Sequence, residues 1–425
     1  MTESGPTPQT LPDVKYVDLP RTPFLPLRRK TNSQPVTSGG PSLDDSKSAD
    51  SSPEPLPPPK VVDPKKQGSG SVPPASGGFL GDGPIDDSQP EERHGFFHPF
   101  SSSRNPNNNK IYITGDTLLW WLKPSDYPVL VTTGTPPTTA IGDSSTPLQM
   151  FTGLRMNFGY WFDPDHCLGM EQGFLYLGRE TTRQSVRSNA AGVPAIGPAI
   201  INPFTGATFR VAAPGVSNGS ATATFMSEMW GADSNVRKCL FADNCVTLDG
   251  LIGFRYLGLK EDFSLSTVST VPRTGERLAI MDSFATQNHF YGPQIGFVSE
   301  SRWRRFYLDS TFKLGMGVTQ QTVHIEGEAT DSLSPLVVHN GSLAQRSNIG
   351  DYNRNVFSVI PEINLTLGMN VTQRIRITAG YTFMYWTDVV RPGEQINGSR
   401  TNPGFEFRST DFFAHGANVG LEYRY

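Results

Sequence analysis

The feature that most constrains this chain is a series of segments between Ile111 and Tyr425 in which apolar and polar residues alternate one for one. Successive side chains of a β-strand point to opposite faces, so this alternation builds strands with one apolar and one polar face. Residues 357–371 show it most plainly. Phe357, Val359, Pro361, Ile363, Leu365, Leu367, Met369 and Val371 share one face, and Ser358, Ile360, Glu362, Asn364, Thr366, Gly368 and Asn370 the other. Residues 374–386, 306–318 and 154–162 repeat the pattern, and 411–425 carries it to an aromatic last residue. Weaker alternation marks 111–122, 168–178, 222–237, 246–259 and 283–298.

These segments predict about ten strands. Their connections alternate in length. Those near 163–165, 238–244, 299–303 and 371–373 are short, and those at 123–149, 179–221, 260–282, 319–354 and 387–409 are long. Sorting of short turns and long loops to opposite ends, with an even strand number that returns both termini to one side, is the signature of a bacterial outer-membrane barrel. The remaining composition agrees. Mean hydropathy is -0.35, and no apolar run approaches the roughly 18 residues of a membrane helix, so a membrane crossing must be made by strands that satisfy one another's backbone groups. The expected fold is therefore all-β, a closed antiparallel transmembrane β-barrel over 110–425.

Residues 1–109 are of another kind. Stretches such as 55–60 (PLPPPK) and 69–78 (SGSVPPASGG) are rich in Pro, Ser and Gly, too poor in apolar side chains to offset chain entropy, and the expectation is a disordered spacer. Residues 1–9 are polar and contain proline, with no charged, apolar and small-residue succession of a secretory signal. One reading is a cytosolic protein; the barrel pattern favours the other expectation, a true start that lies upstream or is misassigned.

On the polar faces lie Arg155, Glu171, Arg255, Asp309, Lys313, Glu362, Arg374, Arg376 and Glu422. Facing lipid at the midplane, an Arg or Lys costs about 2–4 kcal/mol, so these charges are expected to line the lumen, either as a selective constriction or as a salt-bridge network filling a narrow barrel. Trp120, Trp121, Tyr160, Trp161, Trp303, Tyr385, Trp386, Tyr423 and Tyr425 cluster at strand ends and are expected to form interfacial girdles; an aromatic sugar platform is the alternative. Cys239 and Cys245 flank a short connection and predict a disulfide, leaving Cys167 as an odd thiol. Three cysteines without a histidine at ligand spacing predict no metal.

Several stretches resemble a known family: 116–124 (DTLLWWLKP), 159–164 (GYWFDP), 229–232 (MWGA), 253–257 (GFRYL) and 381–393 (YTFMYWTDVVRPG). Together they are similar to the putative beta-barrel porin-7 family of planctomycete bacteria, over roughly 111–425. The resemblance implies an outer-membrane barrel and carries no substrate, cofactor or catalytic residue. The expected partners are outer-membrane lipid and, through the C-terminal strand, the barrel-assembly machinery. A net charge of -4, with Arg302, Arg304 and Arg305 as the one tight basic group, gives nucleic acid no footprint and reads as a membrane-edge anchor. No phosphate loop, serine elbow or His-Glu-x-x-His occurs, so no enzyme is expected, although a hydrolytic rim site of His289, His324, His339 and Asp388 is a minor alternative. Two functions remain open: a porin-like narrow channel with a charged lumen, and a non-conducting structural or surface-display barrel.

Overall fold

The computed structural model describes residues 109–145, 149–397 and 402–425. The spacer expected at 1–109 lies outside the described residues apart from Asn109. Ten long strands follow one another: β1 (Ile111–Leu122), β2 (Met150–Trp161), β3 (Leu168–Arg187), β4 (Asn218–Ala242), β5 (Val246–Val271), β6 (Glu276–Trp303), β7 (Phe306–Asp331), β8 (Gly350–Asn370), β9 (Ile375–Val390) and β10 (Ser409–Arg424). Each pairs antiparallel with its neighbour in sequence, and β10 pairs back onto β1, from Tyr112 opposite Arg424 to Leu122 opposite Ala414. The sheet is thereby closed. A short strand, Ser334–Val338, extends the β7 end of the β7–β8 connection.

Connections at one end, here the turn end, are short: 162–167, 243–245, 304–305 and 371–374. Their residues fix them. The Asp163 carboxylate accepts the N–H of Cys167 and Leu168, each at 2.9 Å. Asp243 accepts those of Cys245 and Val246, and Thr372 those of Arg374 and Ile375. Such side-chain bonds let a chain reverse without leaving N–H groups unmet. Arg304 adopts φ 56° in the two-residue turn, as tight hairpins require.

Six strands, β3 to β8, run well past their expected ends, most of all β5, β6 and β7. The long loop expected at 260–282 is instead strand on both sides of the turn 272–275. The reason lies in a reversal of polarity along each strand. Near the turn end, apolar side chains point outward: Ile252 and Phe254 on β5, Ile295 and Phe297 on β6, Ile363, Leu365 and Leu367 on β8 are all exposed. Toward the loop end of the same strands the apolar residues turn inward, with Phe263, Leu265, Ile280, Phe284, Val323 and Ile325 fully buried and Ser264, Ser266 and Thr322 outside. The first half is built for lipid around it and the second for water. No helix among the described residues is long and apolar enough to cross a membrane, and the belt of outward apolar side chains on the strands does this work.

Candidate functional site

Inside the belt the barrel interior is filled in three successive layers. Nearest the turn end is a layer of ion pairs. Lys313 of β7 reaches Glu171 of β3 at 3.5 Å and Asp233 of β4 at 3.0 Å. Glu362 of β8 pairs with Arg255 of β5 at 2.7 Å and with Arg155 of β2 at 3.7 Å. Glu300 of β6 meets Arg376 of β9 at 3.0 Å and Arg424 of β10 at 3.3 Å. β3 and β7, like β2 and β8, stand four strands apart in the ring. Side chains of opposing walls therefore touch across the lumen.

The pairs join into two groups of nearly balanced charge. In one, Arg155, Arg237, Arg255 and Lys313 face Glu171, Asp233, Asp249 and Glu362, with Arg237 bonded to Asp249 at 2.7 Å and Tyr112 donating to Glu171 at 2.6 Å. In the other, Arg302, Arg376 and Arg424 meet Glu300 and Glu422, and Asp309 lines the same cavity. Between them a cavity of ≈ 210 Å³ is lined by Asp116, Arg155, Glu171, Asp309, Lys313 and Glu362 among others, room for several waters. Buried charges that meet an opposite charge and a hydrogen bond can stay ionised away from bulk water.

Above the ion pairs lies an apolar layer contributed by nine of the ten strands. Trp120, Leu118, Phe151, Leu177, Met229, Leu259, Phe290, Ile360, Trp386 and Phe412 meet there with almost no exposure. The tenth, β7, supplies Thr319, whose hydroxyl accepts the Trp386 indole N–H at 3.0 Å. The third layer is supplied by the long connections, which fold back into the loop-end mouth. Tyr127 packs on Phe225 and Phe263, with ring centroids 4.9 and 5.0 Å apart, and Ile141, Ile196, Val211, Leu343 and Ile396 join the same cluster. Polar clamps hold these loops in place. Arg391 grips both oxygens of Glu261 at 2.7 and 2.6 Å and donates to the Lys123 and Pro124 carbonyls. Asn288 exchanges two bonds of 2.8 Å with the Val390 backbone. Asp282 accepts Ser342 Oγ and the N–H groups of Leu343 and Ala344 at 2.7–2.8 Å. Burial drives the Asp282 carboxyl above the ordinary carboxylate range, while its bonds to Ala344, Ser342 and Leu343 pull the other way.

The structure thus brings Arg155, Glu171, Arg255, Asp309, Lys313, Glu362, Arg376 and Glu422 together inside the ring. Arg374 is a correction. It occupies the exposed turn 371–374, its guanidinium 5.8 Å from the Tyr425 ring centroid. Sequence reasoning also missed Asp116, Asp233, Arg237, Asp249, Glu261, Glu300, Arg391 and Arg424. Parity alone reaches three of these, since Asp249 and Glu261 lie an even number of residues from Arg255 on one strand and Arg424 lies two residues from Glu422 on another.

The girdle divides. Adjacent residues of a strand face opposite ways, so the pairs 120–121, 160–161 and 385–386 can each supply one outward aromatic. Trp120, Trp161 and Trp386 are buried within the barrel; Trp121, Tyr160 and Tyr385 take the outward positions, with Trp303, Tyr423 and Tyr425 exposed. The outer wall adds a cluster that sequence reading passed over: Trp230 Nε1 donates to Tyr256 OH at 3.0 Å, which meets His289 Nδ1 at 3.0 Å beside the Tyr291 ring. His289 is thus committed to the outer wall, His324 pairs with Asp351 on the exposed face, and Asp388 uses its carbonyl to accept Gln321. The rim residues do not converge. The cysteines correct another expectation. Cys239 stands opposite Asp249, four residues beyond Cys245, or roughly 13 Å of extended chain, past the 7 Å a disulfide spans.

A family model described as putative beta barrel porin-7 matches residues 112–425. The chain belongs to that family. The coverage takes in all ten strands from Tyr112 onward. No curated protein matches the chain. Among solved structures, the outer membrane protease OmpT of Escherichia coli is similar at 11% identity and a TM-score of 0.42, covering 75% of this chain and 98% of that one. A Pseudomonas aeruginosa FadL homologue covers 75% and 90% at 7% identity and a TM-score of 0.22. The Pseudomonas putida toluene transporter TodX covers 76% and 90% at 8% identity and 0.19. At these values none of the three bears on what this chain does.

Proposed function

We propose that this outer-membrane barrel is closed, and that it serves as a membrane anchor presenting its loop-end structure at the cell surface rather than as an open pore. The observation that carries the reading is contact between opposing walls: Lys313 with Glu171 and Glu362 with Arg155 cross the lumen, and the Trp120 and Trp386 layer lies above them. An eight-stranded barrel is just filled by its side chains while porins with open channels use about sixteen strands; ten strands stand near the filled limit. Nearly balanced charge also argues against an ion-selective filter, which relies on a ring of one sign. In this reading the turns and both ends of the barrel, Ile111 and Tyr425, face the periplasm, and Tyr425, beside the outward series Phe413, Val419, Leu421 and Tyr423, presents the last strand to the assembly machinery.

Purified full-length chain, shown to be folded by heat-modifiable gel mobility, should give no steady conductance in planar bilayers. Discrete, ion-selective steps that change when Lys313 and Arg376 are neutralised would instead establish the narrow channel, with the ≈ 210 Å³ cavity as its inner vestibule.

A further inference from the structure

The β3–β4 ladder ends at the turn end with Leu168 opposite Lys238. The next pair is Cys167 and Cys239, and the Cys239 N–H donates to the Cys167 carbonyl at 2.8 Å. Directly opposed residues of this kind have Cα atoms about 5.5 Å apart, inside the range that a disulfide bridges. Both fall on the inward face, Cys167 in phase with Glu171 and Cys239 in phase with Arg237, and both are half-buried thiols in this structure. The ladder is irregular at this pair. The Cys167 N–H turns back to the Asp163 carboxylate instead of across the ladder, and on the far side of β4 the register shifts between Cys239 and Phe241.

We propose that Cys167 and Cys239 are a redox pair that closes to a disulfide after export, resting on the reading that the turn end faces the periplasm. There a disulfide-bearing oxidoreductase is the oxidant. The Cys239 thiolate attacks one sulfur of its disulfide and releases the other as a thiolate. The Cys167 thiolate then displaces the bound sulfur, so that one S–S bond forms within the chain, the oxidant leaves as a dithiol, and the two cysteine protons are taken up by its thiolates. The bond staples the turn 162–167. His166 in that turn stacks flat on Trp161, centroids 5.0 Å apart at 3°, and Arg237 lies 5.1 Å from the same ring. All three line the cavity, so the staple fixes the wall at its periplasmic mouth.

The test uses full-length chain from outer membranes, alkylated with iodoacetamide before any reductant and mapped by mass spectrometry without reduction. One linked peptide pair holding Cys167 and Cys239, lighter by two hydrogens, with Cys245 alkylated, is the expected result; Cys167→Ser should then leave Cys239 alkylated and Cys245→Ser should leave the link intact. Alkylation of both Cys167 and Cys239 in the unmodified chain, or a link from Cys239 to Cys245, overturns the proposal whether or not the variants fold. Orientation is read separately. If a membrane-impermeant maleimide labels Cys245 on intact cells, the turn end faces outward and the periplasmic oxidant is excluded.

Discussion

Glu362 holds two guanidinium groups from strands on either side of it, and its loss exposes both. Removing one member of a buried pair typically costs about 3–5 kcal/mol, because the partner's charge is left uncompensated. Glu362→Gln should therefore lower the unfolding midpoint read by heat-modifiable mobility, and a change of that kind at Glu406, whose contact with Arg408 is exposed, should not. Asp282 makes a different statement. Its carboxyl is raised by burial, so the folded protein binds a proton there more readily than the unfolded chain. Stability then falls as pH rises from the ordinary Asp range through the raised value, and is level above it. Acidification through that window should tighten 339–349, seen as greater amide-exchange protection after correction for intrinsic rates; looser exchange at acid pH would contradict it. Asp282→Ala, which leaves the Leu343 and Ala344 N–H groups without their acceptor, should abolish the protection of this segment at every pH.

Among single residues, the sequence made the inward charges legible wherever apolar and charged positions alternated cleanly, as at Glu362 and Arg376. It hid Glu300 because the outward positions on either side of it are Ser299 and Ser301, so that the end of β6 reads as a turn. It hid Asp233 and Arg237 because Gly231 and Ala232 blur the face they belong to. The paired aromatics failed for a simpler reason: a girdle needs outward rings, and neighbouring residues cannot both be outward.

At the level of a strand, the governing fact is that amphipathicity reverses along its length. Apolar-out alternation is what marks a lipid-facing strand, and 260–271 has the opposite sense, with Phe263 and Leu265 inside and Ser264 and Ser266 outside. Read for lipid alone, such a segment resembles a polar loop. The same fact sets a prediction about depth. Ile363, 46% exposed within the belt, should cost about 2–4 kcal/mol when changed to Arg, whereas Ser266→Arg, on the wetted part of β5, should stay within about 0.5 kcal/mol. Equal effects in refolding titrations would mean that the two halves of the strand share one environment.

For the molecule as a whole, ten strands and ring closure were legible from alternation and from sorted connection lengths, while the filling of the ring was not. Nothing in a sequence period shows that Tyr127, Ile196 or Leu343, far apart and in different loops, converge in one mouth. The sidedness proposed above has a direct check. Trypsin added to intact cells should cut at the exposed loop-end residues Arg273 and Arg346 and spare Arg304 and Arg305 in the opposite turn.

The inward apolar face of the loop half also dictates an order of events. Its filling comes from the loops themselves, so the interior of that half stays hollow and wettable until those loops have crossed the bilayer. Translocation precedes packing, and the last act of assembly is the tucking of Tyr127, Leu343 and their neighbours into the mouth from outside. Once seated, they plug the loop-end mouth with buried apolar contacts, and withdrawal of the barrel would require them to be pulled free first.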